Sequence, residues 1–123
     1  MRFTLPITLP GLNDYTSACR GNAYGANAMK KRAEAAITAH LPAAEPRDDY
    51  PLGVAIRWVE PSRRRDPDNV AFATKFILDA MVRAGVIDGD THRHIASIAH
   101  TFAVDKTSPR IEVTVTAHRE EPS

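Results

Sequence analysis

The spacing of apolar residues changes period along this chain, and the order of those changes restricts the fold more than any other feature. Phe3, Leu5, Ile7 and Leu9 alternate with Arg2, Thr4, Pro6 and Thr8, which predicts a strand over 2–9 with Pro6 at an edge or an end. Pro10-Gly11 closes it, and Leu12-Asn13-Asp14 offers capping residues for a helix. Met29, Ala33, Ala36, Ile37, His40 and Leu41 recur at helical spacing, so 15–41 reads as a helix, weakened or kinked in its first half by Gly21 and Gly25. After a proline-rich linker at 42–51, Leu52, Val54, Ile56 and Trp58 predict a strand over 52–60. A second helix is predicted over 67–84, with a stripe of Val70, Ala73, Phe76, Ile77, Ala80, Met81 and Ala84 and a stop at Gly85. An acidic turn at 86–91 leads to strands at 95–104 and 110–118, joined through Asp105-Lys106-Thr107-Ser108-Pro109 as a hairpin. The resulting order, β-α-β-α-β-β, is that of an α+β fold.

The chain has 123 residues, enough for one core and one domain, taken as 1–119 with a disordered tail at 120–123. Its apolar fraction of 43% and charged fraction of 25% are those of an ordinary globular protein. No apolar run is long enough to span a bilayer or to act as a secretory signal, so a cytoplasmic protein with no membrane partner is expected. The single cysteine, Cys19, excludes an internal disulfide and a four-cysteine zinc site, and reads as a small filler residue. The net charge of +1 does not by itself mark a nucleic-acid binder. Its distribution does more: Arg57, Arg63, Arg64 and Arg65 crowd one stretch, Lys30, Lys31 and Arg32 another, and Asp66, Asp68, Asp88 and Asp90 are gathered apart from them.

The run Arg63-Arg64-Arg65-Asp66-Pro67-Asp68-Asn69 holds the chemistry. Hard cations such as Mg²⁺ take oxygen ligands, typically one or two carboxylates with water and phosphate. Asp66 precedes a proline and is pushed toward extended backbone, where residues two apart point to one side. Asp66 and Asp68 could therefore converge on one ion. An Asp before Pro is equally a common helix start, and on this stretch alone the capping reading stands ahead. Asp68, Lys75 and Asp79 lie near one line of the predicted helix. That helix is apolar on almost every side, so Leu78 and Val82 are expected to face a second subunit. Spacing sets Asp90 near the far end of the helix, and Asp88-Gly89-Asp90 read alone is a plain turn. His92 and His94 are spaced like a strand pair that could share a metal, though solvent-facing rings or phosphate contacts account for them better. His100 and His118 carry no signal.

The ordered set Arg65-Asp66-Pro67-Asp68-Asn69, Lys75, Asp79, Ala84-Gly85-Val86-Ile87 and Asp88-Gly89-Asp90 resembles the RusA-like crossover junction endodeoxyribonucleases, the Holliday junction resolvases of phages and prophages. The strong match covers 63–95. Weaker similarity extends to Leu9-Pro10-Gly11-Leu12-Asn13 and to the last two strands. The resemblance implies a mixed sheet flanked by two helices, a homodimer, and Mg²⁺-dependent resolution of four-way DNA junctions by paired symmetric nicks, in recombination, repair or phage DNA processing. It implies that Asp66, Asp68 and Asp90 hold Mg²⁺, or Mn²⁺, in one site, with Asp88 the second choice for the closing position. Lys75 would act on the phosphate, Arg63, Arg64 and Arg65 would hold the DNA backbone, and Arg20 and Lys30 are further DNA candidates. No organic cofactor is implied. One departure is visible: the helix lysine of many members stands three residues after the Asn, where this chain has Phe72, and Lys75 lies one turn on. The competing readings are a non-catalytic structure-selective DNA-binding protein, a nuclease acting on forks or flaps, and a small metalloenzyme acting on nucleotides. The lack of a glycine-rich phosphate loop argues against the last.

Overall fold

In a computed structural model, which describes residues 1–119 apart from the side chain of Ala23, the strands and helices follow the β-α-β-α-β-β order, with each expected helix divided in two. The elements are β1 (Arg2–Leu5), α1 (Leu12–Gly21), α2 (Ala23–Thr38), β2 (Leu52–Glu60), α3 (Pro67–Ala71), α4 (Thr74–Arg83), β3 (Ile95–Val104) and β4 (Arg110–Ala117). The tail at 120–123 lies outside the described residues. Among the described residues no helix is long and apolar enough to cross a membrane.

The strands form one mixed sheet in the order β1-β4-β2-β3. β4 lies antiparallel to both β1 and β2, while β2 and β3 run parallel. Alternation along β2 puts Leu52, Val54, Ile56 and Trp58 on one face, and the register sets Val115, Val113 and Ile111 of β4 beside the last three. Phe3 and Leu5 extend this face through β1. Ala33 and Ile37 of α2, Val70 of α3, and Phe76, Ile77 and Met81 of α4 close over it in one core cluster. Each large apolar side chain so buried contributes about 1.5–3 kcal/mol. The opposite face, with Thr4, Ala55, Arg57 and Thr101, is left open to solvent.

The last two strands do not form the expected hairpin. β2 lies between β3 and β4, so residues 105–109 carry the chain over the end of β2. Strands lie about 4.8 Å apart, so the step over one strand is about 10 Å, within reach of so short a loop. The crossing is held at both ends. The Asp105 amide donates to the Glu60 carbonyl at 2.9 Å, and Asp105 Oδ1 accepts from the amides of Thr107 and Ser108, each at 3.1 Å. Arg110 Nη1 then donates to Asp105 Oδ2 at 3.1 Å. These bonds, with the Thr107 hydroxyl first among them, hold the Asp105 carboxyl below its ordinary range.

β1 ends at Leu5 rather than continuing to residue 9, because Pro6 has no amide to donate to a ladder. The first helix breaks at Asn22, whose side-chain oxygen accepts from the Gly25 amide at 2.7 Å and caps α2. The second helix breaks at Phe72-Ala73. There the amides of Ala73 and Phe76 reach back three residues, to Val70 and Ala73, at 3.2 and 3.0 Å. α4 ends as its glycine foretells: Gly85 has φ 75°, its amide donates to Val82, and the Val86 amide donates to Met81 at 2.9 Å.

Leu78 and Val82, expected to face a second subunit, are covered to a large extent within one chain. Leu78 is 8% exposed inside the core cluster, and Val82 packs against that cluster. α4 is apolar on most sides because it lies within one protomer against both the core and α2, which reaches it through the Lys30–Asp79 ion pair at 3.3 Å. Cys19 is exposed on α1 rather than filling the core.

Candidate functional site

The turn from β2 into α3 presents Asp66 and Asp68. Asp66 occupies the N-cap position in extended backbone, with Pro67 as the first helical residue. Its side chain makes no capping hydrogen bond, so the carboxylate is not consumed by the helix start. Asp68 stands in the first turn of α3. Pro67 already belongs to that helix, so the extended geometry that would aim both carboxylates one way stops at Asp66. Asp66 and Asp68 are both exposed, and neither has an ion-pair or hydrogen-bond partner for its side chain among the described residues.

Other parts of the run are structural. Gly11, at the N-cap of α1, has no side chain, and Asn69 Oδ1 supplies the missing acceptor, taking the Asn13 amide at 2.9 Å. The approach is close enough to require glycine, since a Cβ on Gly11 would lie 2.5 Å from Asn69 Oδ1 and 2.8 Å from the Asn69 carbonyl. Gly11→Ala is expected to lower stability by about 1–3 kcal/mol, the usual range for forcing atoms into a filled space. Urea unfolding measures this, and a variant as stable as the wild type would contradict the contact. Arg65 is likewise occupied. Its Nε donates to Glu60 Oε1 at 2.8 Å and its Nη1 to the Leu9 carbonyl at 2.9 Å, with Asp14 at 3.7 Å. It clamps α1 to the end of β2 rather than standing free for DNA.

Arg63 and Arg64 are exposed and have no carboxylate partner among the described residues, and the same is true of Arg20 in the last turn of α1. Lys30 and Lys75 are engaged. Both approach Asp79 Oδ2, at 3.3 and 3.4 Å, and Lys30 also lies 3.9 Å from Glu34. Glu34, 4% exposed, is anchored by Arg83 at 2.9 Å. Lys75 itself is well exposed, so its pairing with Asp79 is easily exchanged for another anion.

The closing turn is tied down at several points. The Asp88 amide donates to the Tyr50 hydroxyl at 2.8 Å. The His94 ring lies against Gly89 so closely that a Cβ there would meet it at 2.6 Å. Thr91 Oγ1 and the edge of Tyr50 also hold His94, so it is not free to share an ion with His92. The Asp90 side chain is exposed and unpartnered among the described residues. It borders a shallow groove with Thr91, His92, Ile95 and Ile98, whereas Asp66 borders another with Arg63, Pro67, Phe102 and Val104. The two grooves lie at opposite ends of β3, and the four-residue step from Ile98 to Phe102 alone spans about 13 Å. Among the described residues no three of His, Cys, Asp and Glu form a group that could hold a metal. The expected meeting of Asp66, Asp68 and Asp90 therefore does not occur within one chain.

The sequence carried no signal for the structural roles of Asn69, Arg65 or His100. Trp58 Nε1 donates to His100 Nδ1 at 3.0 Å, and the two rings stack across the parallel pair β2·β3. Partial burial lowers the His100 imidazole from its ordinary value, in keeping with an unprotonated acceptor. Neither the known protein families nor the curated proteins give a match to this chain.

Proposed function

We propose that this protein is a Mg²⁺-dependent endonuclease of the RusA-like type that resolves four-way DNA junctions by paired nicks. The single observation that carries the reading is the pair Asp66 and Asp68 at the start of α3, two carboxylates without partners among the described residues, beside Arg63 and Arg64, likewise unpaired among them. Acidic groups next to bound phosphate repel it unless a cation intervenes, and free carboxylate oxygens are the donors a hard divalent ion prefers. Asp66 and Asp68 suit Mg²⁺ as hard oxygen donors and would hold it, whereas Asp90, in the groove at the other end of β3, does not complete the set within one chain.

Bound there, the ion supplies an activated water and polarises the scissile phosphate. The chain's own groups do the rest. Arg63 and Arg64 hold the flanking DNA backbone without reading bases, because guanidinium–phosphate contacts position a duplex rather than specify its sequence. Lys75 leaves Asp79 for the phosphate and stabilises charge developing there. Arg65 keeps the loop in place through Glu60 and Leu9. A homodimer suits the substrate, since a two-fold assembly offers two equal sites for the two equivalent strands of a junction.

Cleavage of a labelled four-way junction, a fork, a flap and a linear duplex under the same Mg²⁺ concentration tests the substrate class. The junction is expected to be cut fastest, in symmetric pairs. Preference for a fork or flap would move the assignment to another branched-DNA nuclease, and binding with no cutting of any substrate would leave a DNA-binding protein.

A further inference from the structure

Glu34 is the one buried charged residue among the described residues. It lies on α2 and faces α4, where Arg83 Nη1 stands 2.9 Å from its Oε2. Its Oε1 is buried and accepts no hydrogen bond among the described residues, and the Lys30 ammonium lies 3.9 Å from it. Lys30 stands closer to Asp79 of α4, 3.3 Å from Oδ2, and shares that oxygen with Lys75 at 3.4 Å. Five charges thus run in one row between the two helices: Arg83, Glu34, Lys30, Asp79 and Lys75.

The row is unequal, and its last member is the loosest. The Asp79 side chain is 19% exposed, that of Lys30 39% and that of Lys75 66%. Lys30 sits between two carboxylates, whereas Lys75 pairs with Asp79 alone among the described residues. Both ammoniums bear on one oxygen, so each repels the other. With Lys75 gone, two cations and two anions remain, and each carboxylate still has a cation beside it. With Lys30 gone, Asp79 keeps Lys75 as its sole partner. Departure of Lys75 would then leave a largely buried carboxylate uncompensated, the condition that costs most.

We infer that Lys30 is a positioning residue for Lys75. It stays on Asp79 as the resident counter-ion and so lets Lys75 exchange that carboxylate for a phosphate oxygen. Glu34 holds Lys30 in place from the α2 side. The destination of Lys75 rests on the nuclease reading; the row of charges does not. Lys30 thereby leaves the set of residues expected to hold DNA.

Trace acetylation with acetic anhydride, read by mass spectrometry, measures how free Lys75 is in the protein without DNA or metal, with the exposed Lys106 as internal reference. Lys30→Met keeps the apolar stem and removes the charge. It should slow Lys75 labelling about 1.5- to 5-fold, the span of one ion pair at such exposure. Lys30→Arg should label as the wild type does. Lys30→Met with Asp79→Asn should recover the rate, since no carboxylate is left to hold Lys75. Junction cutting at saturating protein should follow the same order. Junction affinity should keep its salt dependence in Lys30→Met, whereas losing a phosphate contact lowers the slope of log affinity against log salt by about 0.9.

Lys75 labelling unmoved in Lys30→Met, even with a loss of thermal stability, would reduce the row to a staple between α2 and α4 and overturn the inference. A salt slope lower by one contact, or a double variant no freer than the single one, would overturn it too. The outcomes separate the two claims. Labelling that shifts as expected while no junction is cut upholds the role of Lys30 and rejects the nuclease. Junctions cut with labelling unmoved reject the inference alone.

Discussion

Asp68→Asn is expected to reduce Mg²⁺-dependent junction cutting by more than about a hundredfold, the upper end of what losing a mere supporting partner of a metal ligand costs. Asparagine keeps the shape and one acceptor oxygen but removes the negative charge on which a hard cation depends. The substitution should leave the fold unchanged, because the Asp68 side chain has no partner among the described residues and stands exposed in the first turn of α3. Junction binding should be retained or tightened, since one source of repulsion toward the phosphates is gone. Initial cutting rates and gel-shift titrations in the absence of divalent metal measure the two effects separately. Undiminished Mg²⁺-dependent cutting by the variant would reject the mechanism, and parallel loss of binding and cutting would make Asp68 a binding residue instead.

The largest effect on stability is expected from Phe76→Ala, a loss of about 3–5 kcal/mol. Phe76 is 2% exposed and joins α4 to the sheet core. Its ring also meets Phe72 edge-on at 5.8 Å and Tyr15 at 6.3 Å, so it ties α1 to the break between α3 and α4. It has no polar atom in its side chain, and truncation therefore reports packing alone. A chain of this length has roughly 6–18 kcal/mol of total stability, so the variant gives up a large share of it. Urea unfolding with a shared slope checks this, and a loss below about 1 kcal/mol would contradict the account of a single core built on Phe76. Lys75→Ala, by contrast, removes an exposed ion pair and should change stability by no more than about 0.5 kcal/mol.

The strands were legible because one face of the sheet is buried: Val54, Ile56 and Trp58, and Ile111, Val113 and Val115, alternate as a half-buried strand must. Their neighbours were not. A short connection between two strands suggests a hairpin, and nothing in Asp105–Pro109 announces that the chain steps over β2, so the Trp58–His100 bond went unseen. The breaks at Asn22 and Phe72-Ala73 interrupt stretches whose periodicity continues on both sides, and tertiary packing decides them. Leu78 and Val82 looked superfluous to one core because the helix that packs beside them could not be placed.

At the candidate site, the choice between a cap and a ligand at Asp66 could not be made from residue types, which suit both; the backbone places Asp66 at the N-cap, while its side chain makes no capping hydrogen bond. Spacing alone set Asp90 at the far end of the helix, and a single chain agrees with spacing rather than with the convergence that the resemblance implies. A resemblance carries residues onto positions without placing them in space.

Incubation of a labelled four-way junction with the full chain, with and without Mg²⁺, tests the central claim most directly. Paired symmetric nicks that appear with Mg²⁺ and vanish with a chelator are the predicted result. A junction left intact under both conditions, or cut equally well without divalent metal, would contradict it.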